Sequence, residues 1–494
     1  MSRSTRRTFL KQATAAGLAV GWACTSTHSY ARILGANDRV RLGVAGINGR
    51  GSSHIDAFAK MQDVEVAYLI DPDSRLFKGR TEQVQKRSGG GYTPKCVQDI
   101  RQALDDKELD AVSVATCNHW HALITFWACQ AEKDVYVEKP CSHNVFEGRQ
   151  CVKAAEKYKR IVQHGTQSRG SSRWAKVVAA IASGKYGKLL VSKGYASKPG
   201  KGRTSLGFKE PTDVPEGFDF NLWLGPAPEQ PFHENIVHYN WHWFWDFGNG
   251  EIGNQGVHQM DIARWGIPNA TLPKSVISMG GRWTTDKDQG YKDQAQTPNM
   301  QVTVCDFDGT LLIFEVASLC GTSEITGKKT PGKVDNEFYL EEGKIIGNKF
   351  YPNGKDQGED LVDIDVEMPS DDVFRNFIDC VRSRKRENLL ADIEKAHYSA
   401  ALCHLGNISY RLGKEVPGSS EPEGFPDNPQ VRESLAWIRQ DLKDFLDFDL
   451  NQHTYTLGPK LLFDAEKEQF TNNEAANVLL TRDYRAPFVV TKEV

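Results

Sequence analysis

The sequence predicts an α/β protein of two domains, a doubly wound parallel sheet followed by a part with antiparallel strands. Three observations predict this. From Val40 onward, short apolar runs alternate with helical segments in the βαβ manner. The first run ends in a glycine-rich turn. Near residue 300, two longer runs are joined through Asp308-Gly309, a hairpin signal. The 494 residues suffice for two or three domains, and 39% hydrophobic with 25% charged residues is a globular balance, which excludes collagen, coiled coil and wholesale disorder. With 61 Lys and Arg against 64 Asp and Glu there is no basic footprint for nucleic acid. No apolar run approaches the roughly 20 residues of a membrane-spanning helix.

Residues 1–31 read as an export signal. The pair Arg6-Arg7 is followed by Phe9, Leu10 and a weakly apolar stretch over residues 13–23, the pattern of the twin-arginine route, with Ser29 and Ala31 as a cleavage point. The protein is therefore expected in the periplasm, with the twin-arginine machinery as a partner. Cys24 suits lipid attachment poorly, since Gly21 and Trp22 precede it. The later cysteines have no C-x-x-C pairing, so neither a zinc site nor a disulfide framework is indicated, and Cys117, Cys129 and Cys151 sit in apolar segments as small core residues.

The expected first domain spans residues 38–166. Val40–Ile47, Val64–Ile70, Asp110–Ala115, Asp134–Val137 and Ile161–His164 read as strands, with helices at Ser53–Lys60, His121–Ala131 and Val145–Lys159. A second domain is expected over residues 167–414, with strands at Gln301–Asp306 and Thr310–Ala317 and helices at Asp371–Arg384 and Ile393–Leu412. Residues 415–494 read as a linker, rich in Pro, Gly, Ser and Glu over Glu415–Asn428, and an extension that is partly helical near Val431–Phe448.

The turn after the first strand runs Gly43-Val44-Ala45-Gly46-Ile47-Asn48-Gly49-Arg50-Gly51. A dinucleotide fingerprint needs a glycine for the tight turn, one where backbone approaches the pyrophosphate, and one for close helix–strand packing. Gly46 and Gly51 fit the first and third, while Asn48 holds the middle position beside Gly49. Asp71 ends the next strand, where an acid hydrogen-bonds ribose hydroxyls and repels a 2′-phosphate. NAD is thus favoured, with NADP kept open by Arg50 and Arg75. The domain is expected to be a Rossmann dinucleotide-binding domain.

Two further stretches, Thr116-Cys117-Asn118-His119-Trp120-His121 and Val137-Glu138-Lys139-Pro140, follow later strands at the carboxyl ends where open α/β sheets bind ligands. Spaced in this way after the glycine-rich turn, T-x-x-x-x-H and E-K-P resemble the glucose–fructose oxidoreductase / inositol dehydrogenase (Gfo/Idh/MocA) family, over roughly Val40 to Leu412. The resemblance implies a C-terminal α/β domain on a largely antiparallel open sheet, packing that often makes a homo-oligomer, and a lysine, here Lys139, that contacts substrate and cofactor. It also implies that Gln167 and Arg169 face the nicotinamide or substrate.

Oxidising an alcohol by hydride transfer needs a base for the hydroxyl proton and a cation or donor for its oxygen. Lys139 is one candidate. Asn254, His258 and Asp261 are the others: on a continuous helix from Asn254 they share a face at i, i+4 and i+7, and Asp261 would orient His258. This looks like the family's D-x-x-x-H-x-x-D motif, with Asn254 where the dehydrogenases commonly have Asp. An amide cannot take a proton, so His258 is expected to be the base and Lys139 the group that polarises the oxygen. Between the domains, His238 to Asp246 is dense in aromatics. It reads either as a hydrophobic plug or as a carbohydrate platform made by Tyr239, Trp241 and Trp243. His238 and His242 lack the acid of H-E-x-x-H, so no metal is expected.

The functional expectation is an exported NAD(P)-dependent oxidoreductase acting on the CH–OH group of a sugar, cyclitol or related polyol, with a tightly held cofactor because free nicotinamide is scarce outside the cytoplasm. Two alternatives stand beside it: an NAD-dependent glycosidase that oxidises C3 transiently, and a non-catalytic sugar-binding relative.

Overall fold

The computed structural model describes residues 39–200, 203–284, 292–447, 449 and 451–494. The expected export signal, with Arg6, Arg7 and Cys24, lies outside the described residues.

Six strands form the first sheet: β1 Val40–Ala45, β2 Val64–Ile70, β3 Lys95–Val97, β4 Ala111–Val114, β5 Asp134–Val137 and β6 Val162–His164. Their spatial order is β3-β2-β1-β4-β5-β6 and every neighbouring pair is parallel. Leu42, Val44, Val112, Val114, Val135 and Val137 are all fully buried, as strands covered by helices on both faces require. The strand order reverses between β1 and β4, so the connections leave in opposite directions and open a crevice at their carboxyl ends. Helix α1, Gly49–Ala59, rises from that crevice, as does α2, Asn118–Gln130, while α3, Val145–Lys157, follows β5. Helix α2 is buried even at His119 and His121, because a segment of the second domain lies over it.

The second sheet is mixed and mostly antiparallel. It contains β7 Leu189–Ala196, β8 Ser275–Gly281, β9 Met300–Phe307 and β10 Thr310–Ala317; β11 Gly321–Thr322 and β12 Lys329–Thr330 pair apart as a small hairpin. The rest are β13 Val334–Leu340, β14 Gly343–Ile346, β15 Lys349–Pro352, β16 Glu359–Asp360, β17 Lys414–Pro417, β18 Thr454–Leu457, β19 Leu461–Asp464 and β20 Gln469–Phe470. The order is β16-β15-β14-β13-β7-β10-β9-β8-β18-β17, and only β7 and β10 run parallel. The β9–β10 turn places Asp308 at φ 59° and Gly309 at φ 94°, the left-handed pair that a two-residue hairpin needs.

One face of this sheet packs on α4, Gly256–Gly266, and α5, Ile393–Arg411. The other packs on α6, Pro429–Leu446, through Val431, Leu435, Ile438, Leu442 and Phe445, one stripe at helical spacing. Residues 415–494 therefore do not stand apart as linker and extension. Glu415–Asn428 opens inside β17, which is held by β18 far along the chain, and the tail sends Phe488 and Val490 into the first sheet's core. No described helix is long and apolar enough to cross a membrane.

Candidate active site

A cavity of about 430 Å³ lies over the crevice between β1 and β4. Its wall runs from Asp71, past the turn after β1, to Lys139 after β5 and to Asn254 and His258 of the second domain. The turn is dictated by close approach. Gly46 has φ +76°, and a Cβ there would sit 2.6 Å from the Ala115 carbonyl oxygen. A Cβ on Gly51 would sit 1.7 Å from the Gly46 oxygen, so α1 reaches the strand only because that residue is glycine. Gly49, at φ +40°, has open space where its Cβ would be. The middle glycine role thus falls to Gly49, whereas Asn48 is the N-cap residue of α1 with its Oδ1 3.4 Å from an Arg80 guanidinium nitrogen.

Asp71 is aimed by backbone donors: Oδ2 accepts from Ile47 N at 3.0 Å and Oδ1 from Asp73 N at 2.9 Å. Burial lifts its pKa to about 6. Arg75, expected beside the cofactor, does not line the cavity. Its Nε and Nη2 both donate to the Asp73 carboxylate at 2.7 Å. Cys117, expected in the core, lines the cavity instead.

Thr116, Asn118 and His121 also line the wall. Both ring nitrogens of His121 face carbonyls, Pro140 O at 2.6 Å and Thr116 O at 3.0 Å, which ties the loop after β4 to the loop after β5. Asn118 Oδ1 is buried and has no partner among the described residues. Glu138 accepts from Arg50 Nε at 2.7 Å and Gln167 Nε2 at 3.1 Å, and His54 Nε2 lies 3.1 Å away. Burial alone would raise this carboxyl, but His54 and Arg50 hold it well below the usual range. An open cradle at Gly49, the N-terminus of α1, a ribose-side carboxylate at Asp71 and an unpartnered amide oxygen together fit a dinucleotide.

At the other end a side-chain network holds the reacting groups. Lys139 Nζ donates to Asn254 O at 2.9 Å and to Asn254 Oδ1 at 3.2 Å. Asn254 Nδ2 donates to Tyr239 Oη at 3.2 Å and Glu251 Oε2 at 3.1 Å. Arg203 completes the network, with Nε 3.0 Å from Glu251 and Nη2 3.1 Å from Tyr239 Oη. Burial lowers the Lys139 pKa. His258 faces the cavity with no side-chain hydrogen bond among the described residues, and burial, with the Lys139 charge, pushes it down to about 3.

The backbone expected to be helical from Asn254 stays helical through Gln255, at φ −74° and ψ −35°, which joins the short helix Gly250–Asn254 to α4. Asp261 turns away from the cavity. Its carboxylate takes Arg169 bidentately at 2.7 and 2.8 Å and Ser399 Oγ at 2.6 Å. The pair is 2% and 6% exposed, and Arg169 holds Asp261 at about 2 against the effect of burial. Neither residue lines the cavity, and the Asp261 carboxylate is paired with Arg169 and Ser399 rather than with His258. A buried carboxylate and a buried guanidinium on facing segments neutralise each other.

Of the aromatic stretch, Tyr239 and Trp241 line the cavity. Trp243 does not; it is 1% exposed and packs beneath Arg203. His238, His242 and Trp223 line the wall without having been singled out as ligands. His242 stacks on Trp241 with ring centroids 3.6 Å apart, which the aromatic density of the stretch hinted at. Nothing local marks Trp223, whose place depends on helix Phe220–Leu224 docking over α2. No group of three or more His, Cys, Asp or Glu among the described residues is placed to hold a metal ion.

Comparison with known proteins agrees with this geometry. Residues 40–166 match the model of the oxidoreductase family's NAD-binding Rossmann fold, and residues 194–436 match that family's C-terminal alpha/beta domain. Among curated relatives, a glycosyl hydrolase family 109 protein of Shewanella sp. (strain W3-18-1) is 26% identical over 202 residues, 37% of this chain and 44% of the relative. Myo-inositol 2-dehydrogenase of Thermotoga maritima is 26% identical over 149 residues, 30% of this chain and 42% of the relative. The alignments thus span less than half the length of these relatives. Levoglucosan dehydrogenase in complex with NADH superposes with a TM-score of 0.52 at 15% identity, over 75% of this chain and 97% of that one. The WlbA dehydrogenase of Bordetella pertussis, in complex with NADH and UDP-GlcNAcA, gives 0.50 at 16% identity, over 74% and 96%. At these identities the solved structures show the fold. The chain belongs to the Gfo/Idh/MocA oxidoreductase family, with an NAD-binding Rossmann domain followed by the family's α/β domain.

Proposed function

We propose that the chain transfers hydride at the CH–OH carbon of a sugar, cyclitol or related polyol. One observation carries the reading: a single cavity joins the dinucleotide cradle at Gly46, Gly49 and Asp71 to Lys139, Asn254 and His258. When bound, NAD supplies the hydride acceptor. The turn Gly46–Gly51 and the N-terminus of α1 would hold its pyrophosphate, and Asp71 would hold the adenosine ribose. Lys139 Nζ binds the reacting hydroxyl and takes its proton as the neutral amine, a form that burial brings within reach. His258, depressed to about 3, is too weak a base to hold that proton beside a charged lysine. Its neutral ring orients the hydroxyl instead, which reverses the division of labour expected from the sequence. Tyr239 and Trp241 offer ring faces and a hydroxyl to the rest of the sugar. Export of the protein, supported by Arg6-Arg7, belongs to the same proposal.

A second reading, redox-assisted glycoside cleavage, is favoured by the family 109 relatives. In it, Lys139 removes and later restores the hydroxyl proton on either side of the bond cleavage. The deciding assay incubates purified protein, with its released nucleotide quantified, with a panel of free polyols and of glycosides. Net NADH from a polyol supports the dehydrogenase; aglycone release without net NADH supports the second reading. In either case Lys139→Met lowers turnover by about three orders of magnitude, the range of a lost general base. Unchanged turnover in that variant would remove Lys139 from the reaction.

A further inference from the structure

The outer side of the nucleotide cavity is made by the second domain. Its segment from Gly217 lies on the loop that carries the ribose acid Asp71. Ser74 N and Oγ donate to Gly217 O at 2.9 and 2.8 Å, and Asp219 N donates to Pro72 O at 2.9 Å. Gln98 Nε2 donates to Gly217 O at 3.3 Å, and His238 Nε2 lies 3.2 Å from Asp73 Oδ2. Helix Phe220–Leu224 then places Leu222 and Trp223 in the cavity wall, and Trp120 Nε1 donates to both of their carbonyls at 3.1 Å. A dinucleotide lying along Asp71 would have this segment over it.

The C-terminal tail holds the segment down. Arg485 forks onto the end of helix Phe220–Leu224: Nε donates to Gly225 O at 2.9 Å, Nη1 to Asn221 Oδ1 at 2.5 Å and Nη2 to Asn221 O at 2.7 Å. Asn221 O also accepts the Gly225 N–H at 3.1 Å, so Arg485 adds a second donor there and binds Gly225 O just past the helix end. Phe488, 2% exposed, packs edge-on against Trp120 with centroids 5.4 Å apart. Arg482 Nη1 donates to Asp246 O at 3.0 Å, anchoring the other end of the same domain segment.

We propose that residues 482–488 are a clasp that retains the bound cofactor, with Arg485 as its positioning residue; this rests on the NAD reading above. The clasp touches neither cofactor nor substrate. It keeps the wall made by Leu222 and Trp223 shut over the adenosine side, so that dissociation requires the fork to open.

The test loads purified full-length protein with NADH, dilutes it into excess NAD, and follows loss of protein-bound NADH fluorescence. Arg485→Ala is expected to release NADH at least about tenfold faster, and Arg485→Lys, which cannot make the fork, to fall between. Asn221→Ala, at an exposed position, speeds release about threefold and keeps the proposal testable should Arg485→Ala fail to fold. Arg149→Ala serves as the control: it severs Arg149 from Glu468, elsewhere in the C-terminal segment, and is expected to lower the melting temperature without changing release. Release from Arg485→Ala as slow as from the unaltered protein overturns the clasp, and so does equal acceleration in Arg149→Ala. Failure of the unaltered protein to bind NADH overturns the NAD reading itself.

Discussion

The two ends of the cavity are built from different material. At the nucleotide end the chain's backbone forms the site: three glycines shape the turn, two backbone amides aim Asp71, and a helix N-terminus faces the cradle. At the reacting end side chains form it, in one network from Lys139 through Asn254 and Tyr239 to Arg203 and Glu251. A backbone site is fixed wherever the turn is fixed. A side-chain site depends on which charged groups have already found partners. Two Arg–carboxylate pairs, each with a buried carboxylate, show the consequence. Arg169–Asp261 is buried and lines no part of the cavity. Arg50–Glu138 leaves its guanidinium 42% exposed at the cavity wall, and both residues remain available to a ligand.

The largest effect that separates these cases is expected from Asp261→Asn. It leaves the Arg169 guanidinium buried without a counter-charge, which costs about 3–5 kcal/mol of stability. Denaturant unfolding measures this, and turnover per folded molecule should change little, because Asp261 does not reach the cavity. Full stability with lost turnover would return Asp261 to the site.

A smaller effect is expected at the backbone end. Gly49→Ala puts a methyl group into the open cradle at a positive φ, with no neighbour to strike. Strain of about 1 kcal/mol leaves the fold intact, while a methyl in the path of the pyrophosphate weakens NADH binding by about tenfold. Titration of NADH fluorescence measures it. Gly51→Ala makes the contrast: its Cβ meets backbone at 1.7 Å, so the fold is damaged before binding can be asked about. Unchanged NADH affinity in Gly49→Ala would mean that the pyrophosphate does not lie over that residue.

The same difference in material governs what the sequence made legible. Strands β2, β5 and β10 fall on the residues expected, because each is an apolar run ended by turn chemistry. The glycine cradle was legible for the same reason, since glycine at a tight turn has few causes. At the reacting end, a helical spacing drawn through Asn254, His258 and Asp261 implied a shared face; Asn254 and His258 do both line the cavity, but a partner 92 residues away in sequence, Arg169, holds Asp261 out of it. Trp243 failed as a platform because aromatic density does not say which ring faces inward. The tail's fork on Asn221 and Gly225 lies across 264 and 260 residues, and no local pattern encodes it.

The finest distinction concerns Asn254. Its Oδ1 receives the Lys139 ammonium at 3.2 Å without carrying charge, so nothing at that position offsets the loss in pKa that burial imposes on the lysine. Activity that needs the neutral amine rises with pH through the Lys139 pKa, which lies below its ordinary 10.5. Asn254→Asp places a carboxylate at the same contact and stabilises the charged amine, so it raises that pKa, by about 1–3 units for a close opposite charge. The rising limb of the pH–rate profile should therefore move to higher pH, with the plateau little changed and neutral-pH turnover reduced. A limb that falls with pH, and that moves to higher pH in the variant, would mean that the protonated lysine is the working form. In that case the proton passes to His258, and Asn254 serves to keep the histidine neutral rather than to keep the lysine weak.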